Sequence, residues 1–294
     1  SGVTGSVTLL AAGGLALNAD VSTAGSALVD IEALGGAITS TDGETVTNID
    51  GVTRLAAAQS LQTSGIDAGS AGQVSLVAGG AISQTASGLI TADALRIESA
   101  GDVTLDTDIS AVAAVTDGGN ITLTNSSALE IGTFSSITIE RELALPGTAA
   151  TVVVDADLSG VRTDGEVNIS GSTQGARGDI TITTAASTAL TNAVTDGAAF
   201  IGDVLTLTAH AIDALNIDVN EVSASADSGD ISLTQTAGFD GSLRALTLTS
   251  LTASDSGAEI KVINDGDLVV KTVDADDVHL DSREGAMDLS LEAI

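Results

Sequence analysis

The chain has 294 residues, 43% of them hydrophobic, and 40 acidic against nine basic residues give it a formal net charge of −31. Such a charge repels phosphates, which argues against nucleic acid as a partner and disfavours anionic membrane surfaces. The apolar residues are nearly all aliphatic, because the chain has only three Phe and no Trp or Tyr. Cys is absent as well, so disulfides do not hold the fold together, and no stretch is apolar for long enough to insert into a bilayer.

A five-residue pattern recurs along the chain: a glycine, a polar residue, then an apolar, a polar and an apolar residue. Its clearest copy covers 229–233, where Ile231 and Leu233 flank Ser232. This alternation places the two apolar side chains on one face of a strand and the polar side chain on the other. One such unit cannot bury its apolar face alone, so the repetition predicts units that stack on one another. Further copies begin at Gly5, Gly72, Gly101, Gly119, Gly165 and Gly178.

In chain order, residues 1–60 carry the pattern loosely, and 54–61 has a composition that suits an irregular coil edge or a short helix. The next part carries the pattern clearly and predicts strands at 74–77, 95–97, 103–105, 121–123, 129–131 and 137–139. The segment 140–148 is expected to interrupt the stack, because Pro146 cannot donate to a strand ladder. We expect the stack to resume at 152–154, 167–169 and 180–182.

The last third is predicted to be the most regular part, because glycines precede its main strands at nearly equal intervals: Gly202, Gly229, Gly257 and Gly285. Three short apolar alternations per interval describe a three-sided coil. We therefore predict an all-β fold in which 1–294 forms one continuous, three-sided parallel β-helix, or β-solenoid. A β-sandwich is the alternative, since several Asp-Gly pairs could form hairpin turns.

The stretches 228–234 and 177–183 resemble the filamentous-haemagglutinin-like repeats of large bacterial exoproteins and adhesins. The likeness is one of repeat texture and covers nearly the whole chain. It implies a right-handed parallel β-helix that forms the shaft of a secreted or cell-surface protein, with a host or neighbouring-cell surface as its partner. It transfers no catalytic residue. The family's N-terminal secretion domain is not recognisable, so we expect a processed product or part of a longer chain.

Catalysis is not predicted from these residues. Some β-helix proteins cleave polysaccharides, but such sites need clustered acids and, for sugars, aromatic side chains. His210 and His279 lie in no recognisable motif, and the chain has no Trp or Tyr. We therefore predict a protein that is not an enzyme.

Calcium is the one cofactor considered, since its ligands are carboxylate and carbonyl oxygens. The first candidates are Asp274, Asp276 and Asp277. Two shorter groups, Asp106 with Asp108 and Asp155 with Asp157, are further candidates. The alternative for all of them is a solvated acidic surface.

Pairs of threonines that flank one inward residue suggest a further function, because a regular ladder of such pairs could bind ice. The pairs begin at Thr122, Thr181, Thr206 and Thr247. Their spacing along the sequence is uneven, which argues against one flat face, and outward threonines are common in strands in any case.

The sequence therefore predicts a structural shaft without enzymatic activity. A second hypothesis is a subunit that assembles into an extracellular filament or sheath through its open coil ends. It rests on residues 3–9 and 288–294, which both read as strands without a polar cap. Under this hypothesis the partners are identical subunits.

Overall fold

The protein is all-β: parallel strands stack into a β-solenoid of about 12 turns, as the repeats predicted. It is described by a computed structural model that covers 5–23, 25–142, 149–155, 157–163, 177–195, 197–236 and 243–289, with the backbone alone at 138–142 and 149–154. No helix occurs in these ranges. Every pairing within the 29-stranded main sheet is parallel, so the β-sandwich alternative is wrong.

Successive coils place their strands in three rows along the solenoid. Row 1 contains β1 (Val7–Ala11), β4 (Leu28–Ala33), β7 (Val52–Ala57), β10 (Gln73–Ala78), the ends of β12 (Ile90–Ser99) and β13 (Val103–Thr116), β20 (Val161–Arg162), β23 (Phe200–Ile201) and the end of β25 (Ile212–Asp218).

Row 2 contains β2 (Leu15–Leu17), β5 (Ile38–Ser40), β8 (Leu61–Thr63), β11 (Ile82–Gln84), the start of β13, β14 (Ile121–Asn125), β21 (Ile180–Thr184), β24 (Val204–Ala209), β26 (Glu221–Ala226) and β28 (Leu246–Ala253). The row then divides, since β28 pairs both with β30 (Leu268–Val270) and with β31 (Val273–Asp274). The former pairs with β33 (Met287–Leu289).

Row 3 contains β3 (Val21–Ser22), β6 (Thr45–Thr47), β9 (Gly65–Asp67), the start of β12, the middle of β13, β15 (Leu129–Ile131), β22 (Leu190–Asn192), the start of β25, β27 (Ile231–Gln235), β29 (Glu259–Asn264) and β32 (Asp277–Ser282).

One apolar core runs along the inside of the solenoid, from Leu17 in an early coil to Val270 in a late one. The alternation within each strand builds this core, because every second side chain points inward. In β21, for example, Ile180 and Ile182 are fully buried while Thr181 is only half-buried. Each fully buried Leu or Ile contributes about 1.5–3 kcal/mol, and stacking repeats this contribution coil after coil.

Buried asparagines at the coil corners satisfy backbone groups that the strands leave free. The amide of Asn125 donates to the carbonyls of Ile109 and Ser127 at 3.0 and 2.9 Å, and its oxygen accepts from the Ile109 N–H at 2.9 Å. Asn48 donates to the carbonyl of Val52 at 2.9 Å in the same way. Such hydrogen bonds let a polar corner residue be buried without cost to the stack.

A corner hydrogen bond also perturbs one exposed carboxylate. The side chain of Ser87, two coils further along, donates to Asp42 at 2.6 Å, and its backbone N–H donates at 3.0 Å. The side-chain hydrogen bond from Ser87, and a further one from Thr85, lower the pKa of Asp42 to about 2. This carboxylate therefore links two corners while remaining in solvent.

The chain leaves the solenoid as a hairpin between β15 and β20. It consists of β16 (Thr133–Phe134), β17 (Ile137–Glu142), β18 (Ala149–Asp155) and β19 (Leu158–Ser159), paired antiparallel as β16–β19 and β17–β18. Phe134, Ile137 and Leu158 pack on Ala113 and form a second, small apolar cluster outside row 1. The hairpin therefore covers part of the outer face of row 1.

The structure differs from two local expectations in the first and middle parts of the chain. Residues 54–57 continue strand β7 and 61 begins β8, so 54–61 is neither helical nor an irregular edge. The expected interruption at 140–148 falls at the hairpin, with 143–148 outside the described residues. Strand 152–154 does not resume the stack, because it pairs antiparallel within the hairpin. Residues 167–169 lie outside the described ranges.

The coils of the last third are also less regular than expected. In the first four coils, row 1 uses nearly the same length of chain for each step, as the register of Val7, Val29, Thr53, Val74 and Leu95 shows. In the last third, row 3 advances unevenly through Ile212, Ile231, Ile260 and Val278, with a middle step longer than the steps on either side. The nearly constant glycine interval is therefore not the coil length, and the first coils are the more regular ones.

The glycines at the corner between rows 1 and 2 are needed for close backbone contact. A Cβ on Gly119 would overlap the carbonyl group of Gly101 in the coil below, and a Cβ on Gly178 would lie 2.6 Å from the Gly119 oxygen. A Cβ on Gly13, by contrast, would meet nothing within 4 Å. Glycine at this corner sets how closely successive coils can stack.

We predict that Gly119→Ala destabilises the protein by about 1–3 kcal/mol, because the new methyl group forces two coils apart. The matched control is Gly13→Ala, which should change the free energy of unfolding by less than about 0.5 kcal/mol. Urea denaturation followed by circular dichroism measures both. Equal effects from the two substitutions would contradict the proposed close contact.

Candidate functional site

The three outer faces of the solenoid differ in chemistry. The hairpin covers part of row 1, and charged side chains lie beneath it. The outward positions of row 3 carry exposed charges of both signs, such as Glu130, Asp213 and Lys261. The outward positions of row 2 carry mainly hydroxyl groups in the middle and late coils. A binding function must use one of these surfaces or an end of the solenoid.

A buried ion-pair cluster holds the hairpin against row 1. Arg54, in β7, donates from Nη1 to Asp30 at 2.9 Å and from Nε to Asp155 at 3.0 Å. Ser75, in the next coil, donates its hydroxyl to the other Asp155 oxygen at 2.6 Å. Asp155 is the last residue of β18, so the hairpin ends on this cluster. The guanidinium group of Arg54 joins two coils to the hairpin, and Asp155 adds the third coil through Ser75.

Burial lowers the pKa of Arg54, but the charge of Asp155 and the hydrogen bonds to Asp30 and Asp155 more than offset this, so the pKa lies above its ordinary value. The side chains of Arg54, Asp30 and Asp155 are only 6%, 2% and 1% exposed. Each charge is therefore balanced by a partner and not by water, and loss of one partner leaves another charge buried.

A second cluster of the same kind lies further along, around Asp218 at the end of β25. Arg177 binds both carboxylate oxygens of Asp218, each at 3.0 Å, and Arg244 approaches the same carboxylate at 3.0 Å. The two arginines lie far apart in the sequence, and neither belongs to a strand. Two segments that connect coils thus meet one buried carboxylate beside row 1.

The hydroxyl groups of row 2 form two columns, which we call the hydroxyl ladder. The first column has six residues that pair in register from coil to coil: Thr104, Thr122, Thr181, Thr206, Ser223 and Ser250. The second lies two positions along each strand: Thr124, Thr183, Thr208, Ser225 and Thr252, with Asp106 and Asp274 at its two ends.

The ladder points outward along its whole length. Its members alternate with core residues such as Ile182, Leu205 and Leu207, which are 1% exposed or less, while every ladder residue is exposed or half-buried. Neighbouring rungs lie about 4.8 Å apart along the solenoid, and the two columns about 6.6 Å apart across it. The result is a repeating two-dimensional array.

The ladder hydroxyl groups face solvent. Within the described part of the chain, none of them makes a side-chain hydrogen bond, unlike Thr249 beside them, which bonds to Glu221 at 3.2 Å. Between its two ends the array itself holds no charged residue, although the chain has 40 acidic residues. The ladder is therefore a neutral strip two columns wide on a strongly negative protein, with Glu221 next to its first column, two positions before Ser223 in β26.

This geometry corrects one argument made from the sequence. The uneven sequence spacing of Thr122, Thr181 and Thr206 argued against one face, yet these residues occupy adjacent coils in register. The hairpin formed by β16 to β19 departs next to row 1, and β14 still pairs in register with β21 in row 2. The pair at Thr247 is the exception, because a register shift in β28 gives Ser250 and Thr252 the ladder positions.

The calcium candidates do not converge. Asp274, Asp276 and Asp277 are all exposed, and the Asp276 carboxylate accepts the Gly257 N–H at 2.7 Å. Asp106 and Asp108 lie on β13, and Asp155 belongs to the Arg54 cluster. Among the described residues there is no group of three or more His, Cys, Asp or Glu side chains arranged to hold a metal ion. Calcium binding remains a prediction from the sequence alone.

The two histidines lie apart from each other. His210 Nδ1 is 2.8 Å from the carboxylate of Asp227, and both side chains are partly open to solvent. His279 is exposed on β32, in register with Lys261. The hydrogen bonds of the described residues link no nucleophile to the pair of His210 and Asp227.

No family model, curated protein or solved structure matches this chain. The described residues contain no helix long and apolar enough to cross a membrane.

Sequence reasoning missed Arg54 and Asp155 as partners, and it missed Asp218. Arg54 and Asp155 are 101 residues apart and follow different local patterns. The one available signal was charge at outward strand positions, where Asp30 and Arg54 both flank core residues. The position of these charges in the strand predicts that they point outward. It does not predict that the hairpin covers and buries them.

We predict that Arg54→Ala destabilises the protein by about 3–5 kcal/mol, because Asp30 and Asp155 are left buried without their shared cation. Thermal and urea unfolding give the size of the loss. The control is Arg283→Ala: this side chain is 51% exposed beside Asp281, so its loss should cost less than about 1 kcal/mol. Similar losses for the two variants would show that the buried cluster does not hold the hairpin.

Proposed function

We propose that this chain is a structural shaft, without enzymatic activity, of a secreted or cell-surface protein. The observation that carries the proposal is the single apolar core that continues through the stacked coils. A stack of parallel coils makes an elongated body whose length grows by about 4.8 Å per coil. With about 12 turns, the chain would span on the order of 55 Å.

The buried ion pairs also suit a shaft. The ion pairs of Arg54 and Asp218 join coils to segments that lie far away in the sequence. Such cross-links make the stack more resistant to bending. The negative charge keeps shafts from associating along their sides. The resemblance to adhesin repeats, which rests on repeat texture, supports a position outside the cell, where the shaft would hold a binding domain away from the surface.

The test of this proposal is the location of the protein in the cells that produce it. Antibodies against the chain should label intact cells or the medium, because a shaft works outside the membrane. A cytoplasmic protein probed on the same cells supplies the control for intactness. Labelling that appears only after permeabilisation would overturn the proposal.

A second candidate function is a subunit that stacks end to end into a filament. The observation in its favour is at the last described coil: Val278 is 42% exposed, although its register partners Ile260 and Ile231 are fully buried. Met287 and Leu289 are 40% and 57% exposed. Exposed apolar side chains of this kind form a surface that another coil, either of this chain or of a second subunit, could cover.

The filament function predicts that purified chains associate with rising concentration and that Val278→Glu prevents it, because a carboxylate then enters the contact. The matched control is Leu89→Glu, since Leu89 is 44% exposed in the middle of the solenoid, away from the ends. Analytical ultracentrifugation and negative-stain microscopy follow the change. A monodisperse short rod at all concentrations would exclude the filament and leave the shaft.

A further inference from the structure

The hydroxyl ladder is the surface that neither proposed function uses. A shaft or filament needs the core and the coil ends, and neither requires eleven outward positions of row 2 to be Thr or Ser. Residues elsewhere on the outer faces vary in type: row 3 has Glu130, Thr191 and Lys261 at such positions. Thr is common at outward strand positions, but the unbroken run of Thr and Ser in register from β13 to β28 contrasts with the mixed residues of row 3.

Three properties of the ladder define a ligand that would suit it. The array repeats in two dimensions, at about 4.8 Å along the solenoid and about 6.6 Å across it, so the ligand must repeat as well. The ladder is uncharged on a chain of net charge −31, so the ligand is neutral. Its hydroxyl groups have no partners among the described residues, so they remain free to donate and accept hydrogen bonds.

Other classes of ligand fit less well. Nucleic acids and cationic peptides are recognised through charge, which the array lacks. Sugar rings are recognised in part by stacking on aromatic side chains, and the chain has no Trp or Tyr. A crystal of water is neutral, repeats in two dimensions, and offers a donor or an acceptor at every lattice point.

We propose that the hydroxyl ladder binds the surface of ice. Each threonine contributes a hydroxyl group that bonds to a lattice water and a methyl group that excludes loose water beside it. Parallel stacking keeps the rungs in register before binding, so little conformational entropy is lost when the surface meets the lattice. The proposal is independent of the shaft function. A chain that does not bind ice could still be found outside the cell, so the two tests can fail separately.

The experiment measures thermal hysteresis and ice recrystallisation with the purified chain. The expected result is faceted ice growth and slower recrystallisation, both lost in the double variant Thr181→Lys with Thr206→Lys. These substitutions place two bulky cations in the middle of the first column. The matched control is Thr191→Lys with Thr234→Lys, because both threonines are half-buried strand residues of row 3. The control variant should keep the full activity.

Circular dichroism establishes that each variant keeps the fold. If the lysine variant unfolds, Thr181→Gln with Thr206→Gln replaces it, since glutamine disturbs the array without adding charge. Three outcomes overturn the proposal: no effect of the unmodified chain on ice, equal loss of activity in the row 3 control, or retention of activity in the folded row 2 variant.

Two further results would redirect the ladder to another ligand and so also overturn the proposal. Binding to microcrystalline cellulose or chitin without an effect on ice would identify a crystalline polysaccharide. Self-association that the Thr181 and Thr206 substitutions abolish, in the absence of ice activity, would identify a second copy of the chain.

Discussion

The register between successive coils is the constraint on which the rest of the structure depends. A strand that slips by one residue turns its core side chains to solvent and its polar ones inward. Ile121, Ile180 and Leu205 therefore stay aligned, although the stretch of chain between the first two is much longer than that between the last two. Whatever path the chain takes between two coils, its next strand must pair in the same register and turn the same face toward the core.

This constraint explains where extra residues are allowed. The hairpin of β16 to β19 leaves after row 3 and returns to row 1, and its inner side then covers the outer positions of row 1. Side chains that would have been solvated become buried, so they must be apolar, as around Phe134, or paired, as Arg54 is with Asp155. Where an excursion covers a charged side chain, it must also bring the matching charge, as Asp155 of the hairpin does for Arg54.

The sequence allowed the fold to be predicted because alternation is local: a pattern such as 229–233 identifies a strand and its inward face. The local pattern does not show which row of the solenoid a strand belongs to. Gly202 precedes a row 2 strand, whereas Gly229 and Gly257 precede row 3 strands, so equal spacing joined positions that are not equivalent. The valines of β18 at 152–154 read as a further solenoid strand, and nothing in their local pattern shows that the strand pairs antiparallel with β17 instead.

The same reasoning limits what could be predicted of the candidate surface. Each Thr pair was visible in the sequence, but its neighbours in space depend on where the excursions leave the coil. The hairpin leaves beside row 1, and the ladder of row 2 runs from Thr104 to Thr252 with Asp106 and Asp274 at the two ends of its second column and Glu221 beside its first column. Register therefore produces two things at once: a continuous core on the inside and, on one outer face, a neutral array whose repeat is that of the coil itself.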